Sequence, residues 1–161
     1  MTRRCAVTVT ALVVAVLPAC TSAVGHAGPA VPLQDAPCTQ SPSGTLTRLA
    51  DSKALVECRD GRWEPFTGMF PSSDNWLTYG PELTLRGQAR RNPEMMAGIW
   101  VGIPQSPESQ CSATQSNVIV AGQMAPPEVV AGEPGQPLRL ALTTQLASIE
   151  LTGSCLWERE P

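Results

Sequence analysis

Histidine is nearly absent from this 161-residue sequence; its one copy, His26, stands close to the N-terminus. Imidazole is the usual base of Ser-His-Asp and Cys-His nucleophilic sites and the commonest metal ligand. The chain beyond residue 26 therefore excludes those chemistries. Lysine also occurs once, as Lys53. A Ser-Lys dyad would depend on that residue alone, and beside Asp51 in a short turn it reads as a surface charge. No Cys-x-x-Cys spacing occurs, which removes the usual zinc frameworks. No metal and no cofactor are expected, and no Walker or Gly-x-Gly-x-x-Gly loop is present to cradle a phosphate. Basic charge is sparse: beyond residue 20, nine basic residues face fourteen acidic ones, a formal charge of −5. Only Arg86, Arg90 and Arg91 lie close together, too small a run for a polyanion footprint, so nucleic acid is not an expected partner. No apolar run reaches the roughly 20 residues of a membrane-spanning helix.

What is present at the N-terminus reads as a targeting segment. Arg3 and Arg4 precede an apolar run from Ala6 to Leu17, broken only by Thr8 and Thr10. Residues 1–20 thus form a signal peptide. Leu17-Pro18-Ala19-Cys20 resembles the lipobox of bacterial lipoprotein signals. That resemblance implies acylation of Cys20 and anchorage at the outer face of the cell membrane, the only membrane contact expected. An ordinary signal peptidase is the competing exit, cutting after Thr21-Ser22-Ala23 or Gly25-His26-Ala27 to release a secreted protein. Residues 21–37 are rich in Ala, Pro and Gly and nearly uncharged, a tether composition. A lipid-anchored domain needs such a tether, which favours the first exit.

Either exit delivers the chain to an oxidising compartment, where disulfides persist. Cys38, Cys58, Cys111 and Cys155 remain, and they allow three pairings. Locality selects Cys38–Cys58 and Cys111–Cys155, each worth about 3–4 kcal/mol in the chain-entropy description.

Downstream of the tether the pattern is that of many short strands. Residues 38–70 read as a small Cys-stapled β module. Within it, Asp51-Ser52 breaks a first strand pair and Asp60-Gly61 a second. Asp-Gly suits a type I′ turn, whose twist matches its strands. A two-residue loop sets Arg59 opposite Arg62, Cys58 opposite Trp63 and Glu57 opposite Glu64. Each Arg then has a Glu along its own strand and another on the diagonal, a solvated charge quartet. Trp63 falls on the face of Cys58, over the expected bridge.

Residues 71–81, "PSSDNWLTYGP", read as an aromatic connection. Trp76 and Tyr79 are either wedged between the two modules or form a ligand-facing platform. Residues 82–161 read as a β-sandwich-like domain, with strands over Leu83–Ala89, Gly98–Pro104 and Cys111–Gln123. A single helical turn is expected after Asn92-Pro93. "LRLALTT" sets Leu138, Leu140 and Leu142 on one face. "ASIELTGSCLWERE" sets Ile149, Leu151, Gly153, Cys155 and Trp157 on one face. Period two over both segments argues a half-buried antiparallel sheet. The fold class expected is mostly β: a disulfide-linked hairpin module followed by an antiparallel sandwich.

Two short motifs carry a resemblance. Cys58-Arg59-Asp60-Gly61-Arg62-Trp63 is similar to the Cys-x-Gly-x-Trp endings of small β modules in bacterial surface and pilus-tip proteins, with one residue added. "GSCLWER" resembles the Gly-x-Cys-Tyr-Trp-x-Arg endings of actinobacterial exported β proteins, with Leu156 in place of Tyr. Both imply source and compartment, not activity. The expectation is a non-enzymatic exported cell-envelope protein that binds an envelope protein or glycan, with no catalytic residue. One alternative is a small glycan-cleaving enzyme using two of Asp74, Glu82 and Glu94, acids that would have to flank one cleft about 5–10 Å apart. Another is a secreted inhibitor or antigen-like protein recognised through the loops 104–110 and 125–134.

Overall fold

The computed structural model describes residues 31–120 and 122–161. The expected signal peptide, Cys20 and the tether as far as residue 30 lie outside the described residues. All regular structure described is strand: β1 Leu46–Arg48, β2 Leu55–Arg59, β3 Arg62–Pro65, β4 Asn75–Arg86, β5 Gly98–Pro104, β6 Ser112–Val120, β7 Gln123–Met124, β8 Glu128–Ala131, β9 Leu138–Leu142 and β10 Leu146–Arg159. They form one mixed sheet in the order β3-β2-β1-β4-β10-β5-β9, with β6 also on β10 and carrying β7 and β8. The mostly-β expectation holds.

The β2–β3 hairpin has the expected register, Cys58 against Trp63 and Arg59 against Arg62. Asp60 (φ 50°) and Gly61 (φ 79°) are both left-handed, as a type I′ turn requires. Arg59 pairs with Glu57 on its own strand and with Glu64 on the diagonal at 3.6 Å. Arg62 instead donates to the Asp35 carbonyl at 2.7 Å. The tether composition runs to Pro37, yet its last residues are folded. Pro37 bridges to Arg62, Asp35 N–H donates to Trp63 O at 2.8 Å and Trp63 N–H donates to Ala36 O at 2.9 Å. These bonds satisfy the outer edge of β3, which would otherwise stay open.

The expected connection, residues 71–81, is where the structure differs most. From Asn75 onward it is the first half of β4, a continuous twelve-residue strand. β4 pairs with β10 along almost its whole length, from Asn75↔Glu158 to Arg86↔Ser148. The register shifts once, between the Leu151↔Leu83 and Gly153↔Gly80 pairs, so β4 carries the extra residue of a bulge there. β1 joins β4 in parallel through a single pair, Leu46↔Trp76. The hairpin module is thereby part of the same sheet. No helical turn follows Asn92-Pro93 either. Glu94 and Met95 N–H both donate to Arg86 O, at 2.8 and 3.1 Å, which uses those donors to close the end of β4.

β10 is the common spine. Its first half pairs with β6 and its second half with β5. The change of partner occurs at Gly153, where φ is +90° and an added Cβ would lie 2.0 Å from the Gln110 carbonyl oxygen. The main core holds Trp76, Trp100, Trp157, Leu83, Leu85, Leu140, Ile149 and Leu151, with Cys111 and Cys155 inside it. Both expected bridges are formed, with Cα–Cα separations of 5.8 Å for Cys38–Cys58 and 5.9 Å for Cys111–Cys155. A smaller core on the opposite face joins Cys38, Cys58, Val56 and Trp63 to Leu77 and Leu156.

Candidate functional site

Period two decides the fate of the two expected aromatics. Trp76 shares a face with Leu46 and Trp157 and is fully buried; its indole N–H donates to the Glu94 carbonyl at 3.2 Å. The ligand-facing reading of Trp76 is therefore corrected. The ring is core, because β4 pairs with strands on both sides at that point. Tyr79 lies three residues on, past the last β1–β4 pair. There β1 and β4 diverge, and two side chains span the gap. Thr47 Oγ1 donates to Leu77 O at 2.8 Å, and the Tyr79 hydroxyl donates to Arg48 O. Tyr79 is half-buried. Burial, with the Asp51 carboxylate nearby, raises its phenol above the ordinary tyrosine range.

Tyr79 and Leu77 are shared by two clefts. One, about 350 Å³, is bounded by Val31, Leu33, Ala36, Trp63 and Gln105 and has no charged side chain in its lining. The other, about 310 Å³, opens in the gap between β1 and β4. Leu49, Leu77 and Leu83 form its apolar floor, and Arg48, Lys53 and Glu82 are its charged groups. Both volumes sit at the small end of the ~300–1,000 Å³ typical of ligand sites. The hydroxyls around the second cleft are engaged within the protein. Besides Thr47 and Tyr79, Thr78 Oγ1 donates to Cys155 O and accepts from the Trp157 indole, and Thr84 Oγ1 donates to Glu82.

The three acids considered for glycan cleavage do not converge. Glu94 is buried, taking Arg48 Nη2 at 2.9 Å, Arg86 Nε at 3.2 Å and the Arg86 backbone N–H at 2.9 Å. Asp74 is exposed and pairs with Arg159 at 3.3 Å. Of the three, Glu82 alone lines a cleft. Glu150, which no sequence argument singled out, is close enough to Glu82 to be affected by it: burial raises the Glu150 carboxyl, and Glu82 raises it further.

The loops 104–110 and 125–134 meet only in part. Pro104–Pro107 and Pro134–Gln136 border an open groove of about 470 Å³. Among the described residues, no group of three or more His, Cys, Asp or Glu is placed to hold a metal ion, and no helix is long and apolar enough to cross a membrane. Sequence reasoning missed Lys53 and Arg48 as cleft residues. Arg48 ends β1 and Lys53 follows the turn after it, which brings both to the same cleft. Comparison with protein-family models, with curated proteins and with solved structures returns no match.

Proposed function

We propose that this chain is an exported, non-enzymatic binding protein of the cell envelope, with its site in the trough formed where the two clefts meet at Leu77 and Tyr79. The observation that carries this reading is the trough itself. It is a preformed concavity on a disulfide-held sheet, with an apolar floor. Two disulfides support maturation in an oxidising compartment, in keeping with the leader read at residues 1–20. On this reading Cys20 bears the lipid, and the folded body begins a short tether away from the membrane.

Two measurements test it. Mass spectrometry of the mature N-terminus from native membranes reads the anchor: diacylglyceryl-modified Cys20 is expected, and a free terminus after Ala23 or Ala27 replaces anchorage with secretion. Photo-crosslinking from Leu33 and Gln105, on the trough rim, reads the site. Discrete adducts in envelope preparations are expected, absent when the crosslinker is moved to exposed Ile119. Adducts from neither rim position, or equal adducts from all three, refute the trough as the binding site.

A further inference from the structure

We infer that the trough takes a linear anionic amphiphile, its tail in the uncharged cleft and its acid group on Lys53; this rests on the binding reading above and names the ligand class. The tail end follows from the first cleft. Val31 and Leu33 are 51% and 60% exposed there, beside Ala36 and Trp63. No charge lines it, so an apolar chain displaces water without stranding an ion.

The head end follows from elimination among three charged groups. Arg48 is held by Glu94. Glu82 is itself an acid and accepts from Thr84. Lys53 has no ion-pair partner among the described residues and is exposed. With the neighbouring hydroxyls already spent on internal bonds, the cleft has little left to offer a polyol, whereas an acid group meets an unengaged ammonium. Lys53 closes the β1–β2 turn at φ 58°, its N–H donating to Leu49 O at 3.0 Å.

Amide chemical-shift titration of the disulfide-intact chain with sodium decanoate tests this, with decyltrimethylammonium as the same tail under the opposite charge and chitotriose as a polyol. Decanoate is expected to saturate, moving Leu49, Lys53, Leu77 and Tyr79. Lys53→Gln is expected to weaken it about fivefold or more, and Lys53→Arg to restore it. Binding that is indifferent to Lys53→Gln, or decyltrimethylammonium binding as well as decanoate, overturns the head-group assignment and leaves the trough reading standing. No saturable shift with decanoate overturns the inference outright. The rim crosslinks then judge the trough reading on separate grounds.

Discussion

At the scale of single residues, Glu94 does the most. Its carboxylate is 3% exposed and joins Arg48 of β1 to Arg86 of β4, while its main chain holds the Trp76 indole and the end of β4. Removing it leaves two guanidinium groups without their counter-charge. Glu94→Ala is expected to cost about 3 kcal/mol in urea unfolding, and Glu94→Gln less, since one acceptor oxygen stays. Nothing local in "RRNPEMM" marks this. A glutamate directly after Asn-Pro has the look of a solvated charge until β4 and β1 are brought against it. Glu150 is the opposite case. Its folded carboxyl titrates above its unfolded value, so its contribution to stability is intact below the unfolded range and is lost as pH rises through the folded one. Glu150→Gln should therefore melt higher than the parent at pH 7, by no more than about 2 °C, and match it at pH 3.

At the scale of elements, the clearest local signals were read correctly, while the helical turn expected after Asn92-Pro93 was not formed. Asp60-Gly61 set the hairpin register because a two-residue loop leaves no other, and the three leucines of β9 share one buried face as written, with Arg139 and Ala141 exposed between them. β4 escaped notice because Asn75 and Gly80-Pro81 resemble breakers. What overrides them is β10, some seventy residues away, which pairs with Asn75 and resumes its ladder on both sides of the bulge between Gly80 and Leu83. Neither Trp76's burial nor the gap at Tyr79 can be known before that pairing is. The β1–β2 turn offers a direct test of backbone strain. Lys53→Gly should leave stability unchanged or raise it by up to about 1 kcal/mol, measured by thermal melting. The staples differ as well. Cys111–Cys155 spans 44 residues and Cys38–Cys58 spans 20. Replacing both cysteines of the longer pair by alanine should cost about 0.7 kcal/mol more than the same change in the shorter pair from loop entropy alone. Fully buried Cys111 and Cys155 add a packing loss to that difference.

At the scale of the whole molecule, the arrangement is one continuous sheet with a core on each face, built around two strands that neighbour each other in space and not in sequence. Composition foretold the class, since short period-two segments between Pro and Gly punctuation have few other ways to bury their apolar side. It could not foretell that the hairpin module would share its sheet with the rest, because that union hangs on the single parallel pair Leu46↔Trp76. The position of β10 has a consequence for biogenesis. The strand that pairs with β4, β5 and β6 occupies residues 146–159, so it is synthesised after every other strand described. Until it emerges, the three wait without their shared neighbour and Cys111 without its sulfur partner. A chain arranged this way cannot complete its sheet or close its longer disulfide until nearly its whole length has been made.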